Sequence, residues 1–162
     1  MRGILLALLL GSPALAARTT APPSVQQLAQ ESTGVLRGNV TSAVTSVDRG
    51  QVITTYQVDK HAIVAGLAPE SIEVRLPGGQ IGDRVVTTFG VPVWSVGDSV
   101  IVFLDGARPV SLSAVFTVRD AQVIDPWRRP LSDAPERLQA FVGTVLDARL
   151  PAPDVTGTRP ER

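Results

Sequence analysis

The single histidine, His61, is the first residue to consider for catalysis or metal binding. A serine or cysteine hydrolase needs a nucleophile beside a histidine base, but the chain has no G-x-S-x-G turn and no cysteine. A zinc site built on one histidine would need carboxylates as its other ligands. We therefore expect His61 to be a surface residue of a strand, and we expect a protein that is not an enzyme and needs no cofactor or metal.

The acidic residues and one glycine-rich stretch are typical of turns. Asp48, Asp98, Asp105 and Asp120 each lie beside a glycine, an arginine or a strand end, where aspartate can bond nearby backbone N–H groups. The stretch at 77–82, PGGQIG, lies between two predicted strands, which favours a turn with positive φ over a phosphate loop before a helix. Among 15 acidic residues, nothing selects one pair for glycosidase chemistry.

Two tryptophans and two neighbouring arginines are the side chains best suited to contact a partner. Both residue types are enriched at binding hot spots. For Trp94 the sequence favours a place in the core. Trp127 lies in a proline-flanked loop, and the sequence leaves two interpretations: it caps one end of the core, or it contacts a partner. The predicted binding residues are Trp127, Arg128 and Arg129.

The elements that position these residues are mostly strands. Apolar and polar side chains alternate from Gly34 up to the turn Asp48-Arg49-Gly50, and again over residues 51–63, which predicts a β-hairpin. Residues 71–76 and 110–118 alternate in the same way, with Leu112 among the inward positions. Residues 100–104 are apolar throughout, which predicts a strand covered on both faces.

Two helices are predicted, one near each end of this β region. Ser24 and Gln27 have the spacing of a capping box before a helix at 25–31. Asp133 and Glu136 have the same spacing before an apolar stripe at 138–146, typical of an amphipathic helix. The sequence therefore predicts a mainly β fold: a small antiparallel OB-like barrel with a short N-terminal helix and a C-terminal amphipathic helix.

The start of the chain predicts export. Met1-Arg2-Gly3 carries a positive charge, residues 4–10 are apolar, and Ala14-Leu15-Ala16 has the small residues of a cleavage site. We expect a signal peptide at 1–16 cleaved after Ala16, a flexible leader at 17–23, one domain at 24–146 and a disordered tail at 147–162. The protein is then secreted or periplasmic.

Several segments, taken in order and spacing, resemble secreted bacterial domains of the OB-fold type, akin to netrin-like and tissue-inhibitor-of-metalloproteinase-like modules. They are GVLRGNV at 34–40, residues 56–58 before Ala65-Gly66, 72–76 before Pro77-Gly78-Gly79, and Val96-Gly97-Asp98 before 100–104. The resemblance implies the fold and an extracytoplasmic setting. The resemblance does not imply inhibition of metalloproteinases, because such inhibitors chelate the protease zinc through an N-terminal cysteine and this chain has no cysteine.

The function predicted from these observations is an exported non-catalytic binding or interaction module whose partner is a protein. The net charge of zero argues against a nucleic-acid partner, and the lack of a second long apolar segment argues against stable membrane insertion. The alternative is a small ligand carrier or hydrolase with a site in the barrel mouth. Barrels of this size are usually filled by their own side chains, which favours the module.

Overall fold

The structure, a computed structural model, describes residues 22–125 and 136–149. Its first element is helix α1, Val25–Glu31, at the predicted bounds. The Ser24 hydroxyl accepts a hydrogen bond from the Gln27 N–H at 3.2 Å, and the Ser24 N–H donates to the Gln27 side chain at 2.8 Å. The predicted capping box therefore forms and satisfies donors that the first helical turn leaves unpaired.

The rest of the described chain is mainly strand. The strands are β1 (Gly34–Asp48), β2 (Gln51–Gly66), β3 (Ser71–Pro77), β4 (Gly79–Ile81), β5 (Arg84–Val86), β6 (Ser99–Asp105), β7 (Arg108–Pro109), β8 (Val115–Arg119), β9 (Gln122–Ile124) and β10 (Glu136–Arg137). A 3₁₀ turn, Leu112–Ala114, lies between β7 and β8, and helix α2, Leu138–Arg149, follows β10. The mainly β composition with two flanking helices is confirmed.

Most strands belong to one antiparallel sheet with the order β10-β9-β8-β6-β1-β2-β3, in which β7 also pairs with β6. Strands β4 and β5 form a separate hairpin. Strands β3 and β10 lie at opposite ends of the sheet, and within the described residues they do not pair with each other. The antiparallel sheet is as predicted, but it is open in the described part of the chain, whereas the sequence predicts closure into a barrel.

The two longest strands form the predicted hairpin. They pair from Gly34↔Gly66 to Asp48↔Gln51, with three register shifts on the way. The connecting residues Arg49 and Gly50 both have positive φ, as a tight hairpin turn requires. Strand β6 pairs only with the first part of β1, up to residue 39. Residues 42–48 and 51–57 therefore extend beyond β6, and we call them the hairpin arm.

Two apolar clusters lie on opposite faces of the sheet. The inner core contains Leu36, Val40, Tyr56, Val58, Ile72, Val74, Leu76, Val91, Trp94, Val100, Val102, Leu104 and Val115. The helix-side core contains Leu28, Ala29, Val35, Ile101, Phe103, Ala114, Phe116, Val118, Val123, Phe141 and Val145. Successive residues of β6 alternate between the two clusters, and residues 100–104 are all fully buried. The prediction that this strand is covered on both faces is confirmed.

Helix α2 is part of the helix-side core. The ring of Phe141 lies 6.1 Å from that of Phe103 and 5.1 Å from that of Phe116, in edge-on arrangements. At the end of the helix the Arg149 guanidinium donates to the carbonyl of Ser32, just past α1. The helix includes residues 147–149, which the sequence assigns to the tail.

Two local predictions are wrong. Residues 110–118 are not one continuous strand, because the Ala114 N–H donates to the Ser111 carbonyl at 3.1 Å and closes the 3₁₀ turn. Leu112 consequently points outward and is 43% exposed. Glu136 does not lie in the first turn of α2: it pairs with Val123 as part of β10, and the helix begins after that pairing.

Candidate functional site

The residues that the sequence favoured for binding cannot be placed in this fold. Trp127, Arg128 and Arg129, as well as the predicted cleavage site after Ala16, lie outside the described residues. Their predicted roles stay predictions. The other side chains considered for chemistry are all described.

His61 is an exposed residue of β2, as expected for a surface strand position. It lies where a register shift interrupts the pairing of β2 with β1. Its neighbour Lys60 makes an ion pair with Glu70. Within residues 22–125 and 136–149, no group of three or more metal-ligating side chains is found.

Asp98 and Asp120 lie in turns as predicted, whereas Asp48 and Asp105 are the last residues of β1 and β6. The carboxylate of Asp98 accepts a hydrogen bond from the Ser95 N–H at 2.9 Å, and Asp120 has a φ of 51°. In the glycine-rich stretch, Gly78 and Gly79 have φ values of 109° and 132°, which favour glycine. The positive φ is as predicted, but the stretch is not one turn: residues 79–81 form strand β4, and a turn at Gly82-Asp83 then leads into β5 rather than into a helix.

Trp94 lies in the inner core and is 3% exposed. Its indole Nε1–H donates to the Thr117 hydroxyl at 2.9 Å. Its ring meets that of Tyr56 edge-on, with centroids 5.2 Å apart, and its backbone N–H donates to the Tyr56 hydroxyl at 3.3 Å. The predicted core position is confirmed. Both N–H groups of Trp94 are used in hydrogen bonds within the protein, to Thr117 and to Tyr56.

The long free edge of the sheet belongs to β3. This strand pairs with β2 on one side and, within the described residues, with no strand on the other. Its side chains alternate: Ile72, Val74 and Leu76 are buried in the inner core, whereas those of Ser71 and Glu73 are exposed. An unpaired edge presents a row of backbone donors and acceptors to which another strand can bind.

Two hydrogen bonds of residues that flank β3 show which of its backbone groups face β2. The Lys60 N–H donates to the Glu70 carbonyl at 2.7 Å, and the Gly78 N–H donates to the Val52 carbonyl at 2.8 Å. Backbone groups alternate in direction along an antiparallel pair, so the even-numbered residues face β2. The odd-numbered residues of 71–77 therefore direct their backbone groups toward the free edge.

A cleft of about 790 Å³ runs along this edge. We call it the edge cleft. One wall is β3, and the other is the segment 107–112, which contains β7 and the start of the 3₁₀ turn. Its lining includes the apolar residues Ile72, Leu76, Pro109 and Leu112, of which Leu112 is the most exposed. The volume is in the range of pockets that bind ligands or short segments.

The edge cleft is lined by charged side chains of both signs. Glu73 on β3 and Arg108 on β7 are both exposed, and in the described part of the chain neither makes an ion pair. Arg75 also lines the cleft and donates to the Asp48 carboxylate at 2.9 Å. The edge cleft therefore offers both a carboxylate and a guanidinium to a partner.

Sequence reasoning located β3 but not the cleft. The alternation of residues 71–76 predicts a half-buried strand, yet it does not show that the strand lies at an edge. Two signals were present: oppositely charged Glu73 and Arg75 on the outward positions, and Pro77 at the end. Charge and proline are common on edge strands, because they limit unwanted pairing.

Helices in the two described ranges are too short or too polar to cross a membrane. A smaller depression of about 320 Å³ lies beside the hairpin turn and also borders Arg75.

Comparison of the chain with known protein families, with curated proteins and with solved structures found no significant match.

Proposed function

We propose that the protein is an exported, non-catalytic binding module whose protein partner docks in the edge cleft. The observation that carries this proposal is an open cleft of about 790 Å³ beside an unpaired strand edge. Its exposed charges, Glu73 and Arg108, lack ion-pair partners among the described residues. Export is supported by the charged start, apolar run and small residues of positions 1–16.

The filled inner core favours a module over a carrier or hydrolase with a site in a barrel mouth. Such a site needs polar groups that converge on an enclosed space. The described inner core is instead packed with apolar side chains, and its two polar aromatic residues, Tyr56 and Trp94, bond within the protein. The OB-like barrel and the resemblance to netrin-like modules stay part of this proposal; the approach of β3 to β7 supports a sheet that curves toward closure.

Site-specific crosslinking tests the proposed function. A photoreactive amino acid replaces Arg108 in the full chain, which is expressed and exported in the native host. The matched control replaces Arg84, an exposed arginine of the β4–β5 hairpin that does not line the edge cleft. We expect a crosslinked partner from position 108 and none from position 84.

A second substitution ties the crosslink to the cleft itself. Leu112 contributes exposed apolar surface to the edge cleft, so Leu112→Asp should abolish the crosslink from position 108 without affecting the fold. Circular dichroism and urea denaturation check the fold. Equal crosslinking from positions 84 and 108, or a crosslink that survives Leu112→Asp, would contradict the proposal.

A further inference from the structure

The geometry points to an extended polypeptide segment, added as a strand to the free edge of β3, as the occupant of the edge cleft. This inference rests on the proposed function, because it names the class of partner for the same site. Strand addition is a common way for a folded domain to bind a peptide: backbone hydrogen bonds supply affinity, and alternate side chains supply specificity.

The backbone of β3 defines how much of a segment can bind. Outward-facing N–H and C=O groups are available at Ser71, Glu73 and Arg75, whereas Pro77 has a C=O but no N–H. The row of donors therefore ends at Arg75. At about 3.4 Å per residue, this row matches a segment of roughly five to seven residues.

The charges on β3 define which side chains the segment should carry. In an antiparallel pairing, a partner residue opposite Glu73 lies two positions after the partner residue opposite Arg75. Opposite charges across strands are favourable, so the partner residue opposite Glu73 should be basic and the one opposite Arg75 should be acidic. The residue between them lies opposite Val74, and the residue after the basic one lies opposite Ile72; both β3 side chains belong to the inner core, so these two partner residues should be apolar. The predicted pattern is acid, apolar, base, apolar.

The second wall of the edge cleft favours a single segment over a second copy of this protein. Strand β3 itself contains Glu73-Val74-Arg75, so two copies of β3 would also satisfy the charge pattern. However, segment 107–112 lies beside β3 in every copy. A second folded domain would have to bring its own β2 and its own segment 107–112 into the same narrow space. An extended peptide brings one strand only.

The test uses a labelled peptide, Thr-Val-Glu-Val-Arg-Val-Thr, capped at both ends, and fluorescence anisotropy with the full chain after removal of residues 1–16. The control peptide has Glu and Arg exchanged. We expect the control to bind about tenfold more weakly, because two attractive cross-strand pairs become repulsive. Glu73→Lys should weaken binding of the first peptide and strengthen binding of the control peptide. Asp83→Lys changes an exposed acid outside the cleft by the same charge and should change neither affinity.

Backbone methylation distinguishes strand addition from contact by side chains alone. The N–H groups of the peptide Glu and Arg face β3 in this pairing, so methylating both should abolish binding. Methylating the central Val N–H, which faces away from β3, should be tolerated. Equal binding of the two methylated peptides, or of the two charge patterns, would overturn the inference while leaving a crosslink at position 108 intact. A concentration-dependent dimer that Glu73→Lys disrupts would also overturn it, since the occupant would then be a second copy.

Discussion

The part of the sheet beneath the two helices and the hairpin arm beyond it are held together by different side chains. Under the helices, β6 and β8 are buried on both faces, and three phenylalanine rings from β6, β8 and α2 contact one another. In the hairpin arm, Val44 and Val47 are 62% and 61% exposed. There the strands are linked through hydroxyls: Thr45 and Thr54 share a hydrogen bond of 2.9 Å, and Thr54 donates to the Gly78 carbonyl at 2.7 Å.

This difference suggests that one region of the sheet determines the stability of the fold and that the other is available for binding. Burial of large apolar side chains is the main favourable term in folding, and both cores supply it, whereas Val44 and Val47 in the hairpin arm do not. Regions with few buried contacts open at lower cost and are the ones that binding surfaces use. The free edge of β3 borders the strand that carries half of the hairpin arm. It lies at the opposite end of the strand order from β10, which precedes α2. We therefore expect substitutions in the helix-side core to act on stability and those at the exposed positions of β3, Ser71, Glu73 and Arg75, to act on binding.

Removal of helix α2 is the change with the largest expected effect. A chain that stops before Ser132 loses Phe141 and Val145, which are fully buried in the helix-side core; Phe141 packs on Phe103 of β6 and Phe116 of β8. The exposed apolar surface should cost more than emptying a single aromatic site, about 3–5 kcal/mol, and should promote aggregation. Thermal unfolding and light scattering check this. An unchanged melting temperature would show that α2 does not support the sheet.

Phe103→Ala should have the next largest effect. Phe103 is fully buried and lies 5.6 Å from the Phe116 ring, so its removal leaves a cavity and should cost about 3–5 kcal/mol in urea denaturation. Val44→Ala, in the hairpin arm, should change the free energy of unfolding by less than about 0.5 kcal/mol. Similar losses from the two substitutions would mean that the two regions do not differ as described.

Local sequence signals predicted most elements of this fold. The capping box at Ser24 identified the start of α1, and the alternation of residues 71–76 and the apolar run at 100–104 identified β3 and β6. The prediction failed at 110–118, where a hydroxyl-rich turn competes with strand pairing. Alternation over nine residues does not reveal such a turn, because Ser111 and Ser113 are compatible with both structures.

The candidate site could not be predicted, because it depends on the order of strands in the sheet. Whether β3 is an edge is decided by what lies beside it, and segment 107–112 is distant in the sequence. The sequence instead directed attention to tryptophan and arginine by residue type. Trp94 was correctly assigned to the core, but its hydrogen-bond acceptor, Thr117, became visible only in the structure.

Gly79→Ala tests the hairpin arm at its tightest contact. Gly79 has a φ of 132°, and a Cβ there would overlap the Thr54 hydroxyl and lie 2.9 Å from the Thr45 hydroxyl. Backbone strain together with loss of the Thr45–Thr54 hydrogen bond should cost about 2–3 kcal/mol. The matched control is Gly82→Ala, where φ is 55° and no atom lies within 4 Å of the added methyl. It should cost only about 1 kcal/mol, the penalty of a left-handed alanine.

The comparison between these two glycines shows whether the arm is a packed unit. If Gly79→Ala and Gly82→Ala have the same small effect in urea denaturation, the β4–β5 hairpin does not depend on its contact with Thr45 and Thr54. The arm would then be less ordered than the hydroxyl hydrogen bonds indicate.

His61→Ala should have the smallest effect of these changes. The side chain is exposed, lies on β2 outside both cores and does not line the edge cleft. Truncation at such a position usually changes the free energy of unfolding by less than about 0.5 kcal/mol. Urea denaturation and crosslinking from position 108 should both match the unsubstituted protein, because the proposed function assigns this histidine no contact with the partner. A hydrolytic activity that His61→Ala abolishes, with an unchanged circular dichroism spectrum, would contradict this prediction. It would place a catalytic site on β2, outside the edge cleft.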